Sequence, residues 1–346
     1  MKVAIVTGGS GYFGSLLMKQ LVDQGWYVKN LDINKPYENL KNSEFIQSDV
    51  RNLSNLENQF EGVNTIFHNV ALVPITKSSN YEETNLYGTK NVIELGIKSK
   101  VSSFVYTSSS AIYGAPKNNP VKENDVPFPA ENYGKSKLDA EFLCGTYSSK
   151  INVSIIRPRT ILGHGRLGIF QILFDWISKG WNIPILGNGD NIYQFVHADD
   201  LARACILSSG SKGLNFYNVG AERYSSMRET LESLCDYAQT GSKVISLPRH
   251  LFERLMNIAS LLNLSPLGGY HSLMYGRSLF FDTSKTVEEL GWKSVYSNKE
   301  AIIDSYKYYR KNRKAISQEL LSSKSPHSLP MKQGVLKLMG HFLNLL

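Results

Sequence analysis

The first half of the chain alternates short apolar runs with amphipathic stretches, the rhythm of buried strands and the helices that cover them. Val3–Thr7 is such a run, and it breaks into Gly8-Gly9-Ser10-Gly11-Tyr12-Phe13-Gly14. Leu16, Leu17, Leu21 and Val22 then recur at helical spacing until Gly25 stops them, and Tyr27–Asp32 is a second run that ends in an acid. Further strands are expected around Phe45-Ile46, at Val63–Phe67, Ser103–Tyr106 and Val153–Ile156, with helices over Leu53–Phe60, Thr84–Ser99 and from Tyr133 through Leu143. Such alternation with short connections predicts an α/β fold with a parallel, doubly wound sheet. After about Gly163 the rhythm loosens. A helix around Gly168–Lys179, a turn-rich hairpin over Ile183–Asp190, a strand at Tyr193–His197 and a helix opening at Asp199-Asp200 are expected next. Phe216–Val219 reads as a strand, Met227–Gln239 and Arg249–Leu262 as helices, and Asp282-Thr283-Ser284-Lys285 opens a short helix that stops at Gly291-Trp292.

The glycines at the first turn change this from a fold to a site. Gly8, Gly11 and Gly14 lie between a strand and a helix, where backbone N–H groups approach a pyrophosphate at the positive helix end. Tyr12 and Phe13 fall in the same turn. Asp32, 18 residues past Gly14, is placed to accept hydrogen bonds from an adenosine ribose. No arginine lies near Asp32 in sequence to receive a 2′-phosphate, which its carboxylate would repel, so NAD is expected over NADP. This is a Rossmann-type arrangement. Asp49 and Val50, at a third strand end, are placed to read the adenine edge, and Asp49 equally to cap the helix over Leu53–Phe60. Asn69 and Ala71 follow the fourth strand, where small residues let the chain lie along the cofactor. His68 beside them reads as a packed histidine. The expected layout is a cofactor domain over residues 1–165 with segments around 190–220 returning to it, a mainly substrate-binding smaller C-terminal lobe over 166–310, and a tail over 311–346.

A second constellation sits at Tyr133-Gly134-Lys135-Ser136-Lys137. Tyr and Lys four apart share a helix face, and a nearby cation lowers a phenol pKa from its ordinary value of about 10. The hydroxyls of Thr107-Ser108-Ser109-Ser110 end a strand, pointing into the crevice where doubly wound sheets bind ligands.

Composition narrows the class. The chain has 346 residues, 42% hydrophobic and 20% charged, and its three cysteines (Cys144, Cys205, Cys235) are far apart, which argues against a disulfide or zinc framework. No long apolar run suggests a transmembrane helix, and Met1–Val6 enters a strand at once, with no room for a signal peptide; a cytoplasmic protein is expected. The net charge of +8 is uneven, since residues 310–346 hold seven basic residues and one acidic, leaving +2 for the rest. Nucleic-acid binding by the body is not suggested. In Val335–Leu346 the polar positions Lys337, His341 and Asn344 leave a broad apolar face, which suits docking on the protein itself, pairing between subunits or peripheral membrane contact.

Taken in order, Gly8-x-x-Gly11-x-x-Gly14, Asp32, Asn85-x-x-Gly88-Thr89, Ser108-Ser109-Ser110, Tyr133-x-x-x-Lys137 and Arg157-Pro158 resemble the extended short-chain dehydrogenase/reductase family, the NAD-dependent epimerase/dehydratase group that includes UDP-sugar 4-epimerases. Phe195-Val196-His197-x-Asp199-Asp200-Leu201, Asn218-Val219-Gly220 and Asp282-x-x-Lys285 with Leu290-Gly291-Trp292 extend the resemblance to about residue 310. It implies Tyr133 as general acid/base, Lys137 holding the nicotinamide ribose and depressing the Tyr133 pKa, and Ser109 hydrogen-bonding the reacting oxygen. Thr160 stands where UDP-hexose epimerases commonly carry Asn, and Ser110-Ala111 where 4,6-dehydratases carry Asp-Glu, so a dehydratase is disfavoured. Arg166 and Arg277 are candidates for a diphosphate clamp. His197, Asp199 and Asp200 read as a strand-to-helix junction, with no functional metal. The expected activity is an NAD-dependent epimerase or ketoreductase of a nucleotide-linked sugar, working as a homodimer. A dehydrogenase of a sterol-like or other lipophilic alcohol and a non-catalytic NAD-sensing scaffold are the alternatives.

Overall fold

The computed structural model describes residues 1–54, 56–74, 80–249, 254, 276–317, 327 and 340. The helix expected over Arg249–Leu262 falls almost entirely outside them, as does most of the tail, its apolar-faced stretch over 335–346 included.

β1 (Val3–Thr7), α1 (Tyr12–Asp23) and β2 (Tyr27–Asp32) form the first unit, followed by β3 (Ser43–Gln47), the single turn α2 (Glu57–Phe60) and β4 (Thr65–His68). A π-turn at Glu83–Tyr87 leads into α3 (Gly88–Lys98), then β5 (Ser103–Thr107), a 3₁₀ turn at Ser110–Tyr113, α4 (Asn132–Thr146) and β6 (Asn152–Pro158). β7 (Thr160–Leu162), α5 (Ile169–Ser178), β8 (Ile183–Leu186), β9 (Phe195–His197), α6 (Ala198–Ser208), β10 (Leu214–Val219), α7 (Met227–Ala238) and β11 (Val244–Leu247) continue the chain, and α8 (Ser284–Leu290) and α9 (Asn298–Ser317) follow. The fold is mixed α/β.

Seven strands form one parallel sheet in the order β10-β6-β5-β4-β1-β2-β3. The chain runs outward from β1 to β3, then returns to β4 on the other side, so the strand order reverses between β1 and β4. Ligands bind doubly wound sheets in the crevice that opens at this reversal, beyond the carboxyl ends of the strands. The register sets Thr7 level with His68, bringing the glycine turn beside Asn69. One sheet face packs on α1 and α6, where Leu17, Leu21, Leu201 and Trp292 are fully or almost fully buried; the other packs on α3 and α4 through Val92, Ile93, Phe104 and Ala140.

The remaining elements bury a second core, with Phe174, Ile177, Leu234 and Tyr306 at its centre. Here the expected hairpin over Ile183–Asp190 is corrected. β8 pairs in parallel with β11, some sixty residues on, and Gly187 and Gly189 at positive φ turn the chain away after it. Ile192 and Tyr193 then bridge to Ser226 and Leu279 rather than back to β8. The helix expected over Thr84–Ser99 is split by the π-turn, and that over Leu53–Phe60 shrinks to α2.

The closing Leu-Gly-Trp motif locks onto α6. Gly291 ends α8 at φ +62°, Trp292 Nε1 donates to the Asp200 carbonyl at 2.8 Å, and the buried Asp200 carboxylate accepts from the N–H groups of Val295 and Tyr296 and from Arg203. The C-terminal stretch returns to the protein at two described points. The His327 carbonyl accepts from Leu167 N–H, and Gly340 is buried where a Cβ would meet Trp181 and Trp176 within 3 Å. Among the described residues no helix is long and apolar enough to cross a membrane.

Candidate active site

A cleft of about 510 Å³ runs over the carboxyl ends of β1, β2, β4, β5 and β6. At one end lies the glycine turn. Gly8 takes φ +71°, its N–H donates to Leu31 O, and a side chain at Gly14 would put Cβ 2.0 Å from the Gly8 carbonyl oxygen. The turn is therefore as tight as a backbone can be made, and it leaves the N-terminus of α1 open to the cleft. Asp32 beside it accepts from the N–H groups of Ser10 (3.1 Å) and Asn34 (2.8 Å). Burial raises its pKa, and those hydrogen bonds oppose the rise. Tyr12, Phe13, Asp49, Val50, Asn69 and Ala71 line the same cleft. So does Arg51, whose guanidinium is tied to the Asp49 carboxylate at 2.6 Å. This cradle fits a dinucleotide. Gly14→Ala is expected to weaken NAD binding roughly tenfold or more, because the added atom collides with backbone that must move. Calorimetric titration with NAD checks it, and unchanged affinity would contradict the cradle.

Deeper in the cleft, Ser109, Tyr133 and Lys137 converge. Ser109 caps the 3₁₀ turn by accepting from Ala111 N–H, and its hydroxyl lies near enough to the Tyr133 phenol to lower its pKa. Burial pushes the Tyr133 pKa up to about 12; Ser109 and the Arg166 cation lower it, while Glu131 and Tyr81 raise it. The Glu131 carboxyl is itself pushed up to about 7 by burial. Lys137 is 2% exposed, donates from Nζ to the Thr107 carbonyl at 2.7 Å and lies over the Tyr106 ring. Burial brings its pKa down to about 7, against Glu141 and Cys144. Arg166 is a cation that acts on the phenol, while the Lys137 side chain is directed at the end of β5.

His68 is a packed histidine. Its ring nitrogens pair with Thr7 Oγ1 (2.7 Å) and Thr89 Oγ1 (2.9 Å), and burial, then Lys137, holds its pKa down to about 3. Asn85 carries the loop after β4 to the Tyr133 helix, accepting from Leu72 N–H and donating to Ser136 Oγ.

On the side away from the glycines, Thr160 and Arg166 line the cleft, with Thr160 Oγ1 2.9 Å from Tyr193 OH. Arg166 is 9% exposed, stands over the rings of Tyr12 and Phe170, and burial lowers its pKa to about 10. Arg277 does not join them. It is exposed and absent from the cleft lining. The arginine that does join is Arg159, passed over in the sequence; its signal is a second charged residue, after Arg157, at a buried strand end beside Pro158. Glu141 was also missed. It is a buried acid on α4 that pairs with Arg157 and accepts from Ser108 Oγ, fixing the strand end below Ser109.

His164, His197 and Asp199 offer ligand atoms within 4.8 Å of one another, yet both ring nitrogens of His197 are engaged. Nδ1 accepts from Asp199 N–H and Nε2 faces Asp304 at 3.2 Å, which fixes the tautomer and makes the group a junction of β9, α6 and α9. The Asp304 hydrogen bond raises the His164 pKa against the effect of burial. A raised histidine pKa contributes stability that is full below the unfolded value of 6.5 and is lost as pH rises through the folded value. The pair is half-exposed, so about 0.5 kcal/mol is expected. Asp304→Asn should remove that alkaline-side loss, which urea titrations on either side of the folded value measure; an unaltered pH dependence would exclude the pair as its source.

Residues 4–220 match the family model described as the NAD dependent epimerase/dehydratase family. The whole chain is 45% identical to y4nG of Sinorhizobium fredii, a protein described as uncharacterized, and covers 87% of it. It is 28% identical to the UDP-glucose 4-epimerase of Dictyostelium discoideum, over 89% of this chain and 96% of that one. Its fold is similar to that of the UDP-glucose 4-epimerase of Thermotoga maritima solved with UDP-glucose, with a TM-score of 0.75 and 22% identity over 90% of this chain and 99% of that chain.

Proposed function

This chain belongs to the NAD-dependent epimerase/dehydratase family, as an NAD-using enzyme of the extended short-chain dehydrogenase/reductase type, and from that premise we propose that it is an epimerase or ketoreductase of a nucleotide-linked sugar. The observation that carries the reading is the convergence of Ser109, Tyr133 and Lys137 in the cleft that the glycine turn opens. In this reading Gly8, Gly11 and Gly14 hold the pyrophosphate, Asp32 the adenosine ribose, Asp49 and Val50 the adenine edge, and Asn69, Ala71 and Lys137 the nicotinamide end. NAD, when bound, supplies the hydride acceptor and donor. Ser109 orients the reacting hydroxyl by hydrogen bonding, and Tyr133 takes its proton as the carbon is oxidised and returns one as it is reduced. Lowering of the Tyr133 pKa by Arg166 moves the phenol toward the base form that this step needs.

Ser110 and Ala111 support epimerisation or reduction over dehydration, since Ser110 Oγ accepts from Arg159 and Ala111 has no titrating group. Arg166 is suited to the substrate diphosphate, and Thr160 to its sugar side. The test is a thermal-shift series on NAD-loaded protein with nucleotide sugars, their parent nucleotides and sterols. Stabilisation by a nucleotide sugar, with part of the shift from its parent nucleotide, is expected. A shift with sterols alone would overturn the reading in favour of a lipophilic alcohol.

A further inference from the structure

Two guanidinium groups line this cleft at 9% exposure or less, Arg159 and Arg166, and among the described residues neither has a carboxylate within ion-pair distance. Removing a cation from water without a counter-charge is costly, so such a pair calls for negative charge on the ligand. Arg166 answers to the diphosphate of the reading above, on which the present inference rests. Arg159 is then a second positive charge with nothing assigned to it.

Its geometry is particular. Arg159 is 1% exposed; Nη1 donates to Ser110 Oγ at 2.8 Å, and the planar group lies with Cζ 4.6 Å from the Tyr193 ring centroid and 5.7 Å from that of Phe281. Aromatic rings and Ser110 thereby hold the plane, while Nε and Nη2 have no hydrogen-bond partner. Those two N–H groups form one edge of the guanidinium, a parallel two-donor fork that matches the two oxygens of a carboxylate. The fork is also near the chemistry, because Ser110 follows Ser109, which lines the same cleft as Tyr133. In a pyranose oxidised at C4, the diphosphate on C1 is across the ring from the reacting carbon, whereas a carboxyl on C5 is its neighbour. We infer that Arg159 binds a carboxylate on the sugar ring next to the reacting carbon, so that the substrate is a nucleotide-linked uronic acid rather than a neutral hexose.

The test uses a pair that differs only at C6, UDP-glucuronate and UDP-glucose, titrated calorimetrically into NAD-loaded protein carrying Tyr133→Phe to prevent turnover, and repeated with the thymidine pair so that the base does not decide the result. UDP-glucuronate, or its thymidine counterpart, is expected to bind about 100-fold more tightly than the neutral sugar. Adding Arg159→Met should bring that ratio close to one with the neutral sugar unchanged, and Arg159→Lys should restore part of it. Arg159→Met alone should not lower the Tm of the ligand-free protein, since it removes an uncompensated buried charge. Tight binding of both sugars at a ratio near one, survival of the preference in Arg159→Met, or a marked fall in Tm on that substitution would each overturn the assignment. Failure of every nucleotide sugar to bind would instead sink the nucleotide-sugar reading beneath it.

Discussion

Tyr133→Phe is expected to lower kcat by about a thousandfold while NAD stays bound. The substitution deletes one oxygen. The ring keeps its edge contact with Tyr81, centroids 6.0 Å apart, so folding and cofactor binding should survive. What is lost is the group that carries the proton. The pH profile gives a second readout. Tyr133 acts as a base only when ionised, and burial holds its pKa up to about 12 against Ser109 and Arg166. Wild-type activity should therefore climb as pH rises toward the phenol's working pKa, and the residual activity of Tyr133→Phe should lack that climb. Steady-state kinetics across pH, with bound nicotinamide assayed in the same samples, measures both. A Phe variant that retains wild-type kcat would remove Tyr133 from the mechanism.

Glu141→Gln should destabilise the fold by about 3–5 kcal/mol. The Glu141 carboxylate is 2% exposed and accepts from Arg157 Nε at 3.0 Å and Nη2 at 2.6 Å, and from Ser108 Oγ. Arg157, 4% exposed, extends the network from Nη1 to Tyr113 OH and the Glu123 carbonyl, and Tyr113 OH donates to Asn218. Neutralising Glu141 leaves the Arg157 cation buried without its counter-charge, which costs far more than a lost surface pair. The double replacement Glu141→Met with Arg157→Met should be less damaging than the sum of its parts, because neither charge is then stranded. Urea midpoints of the two single variants and the double one settle the coupling; strict additivity would mean the two groups do not act as a pair. Ser109 shares the strand end with Ser108, so Glu141→Gln should lower kcat as well.

The parts of this molecule that could be read from sequence are those whose signal is local. Strand, glycines, helix, strand and acid follow one another within about thirty residues, and their order implies the β1–α1–β2 unit directly. Tyr133 and Lys137 share a helix face by spacing alone. What escaped reading depends on distant partners or on side-chain direction. β8 finds its partner in β11, and nothing near Gly187 or Gly189 announces it, so the glycines read as a hairpin turn. Lys137 reaches the Thr107 carbonyl through its own choice of rotamer, and Arg166, distant in sequence, is brought to act on Tyr133. Arg159 is one residue with no periodic pattern, and its role rests on Ser110, Tyr193 and Phe281 from three other parts of the chain. Arg277 failed for the converse reason, since charge in the right region says nothing about which way an exposed segment faces.

The most direct test of the central claim follows the hydride. NAD-loaded enzyme is mixed in a single turnover with a nucleotide-linked sugar deuterated at the reacting carbon, and reduced nicotinamide and label are followed together. Reduced nicotinamide is expected only with Tyr133 intact, and the label is expected to reach it. In epimerisation the label then returns to the same carbon without exchanging with water. Label lost to solvent, or product formed with the nicotinamide never reduced, would contradict that claim.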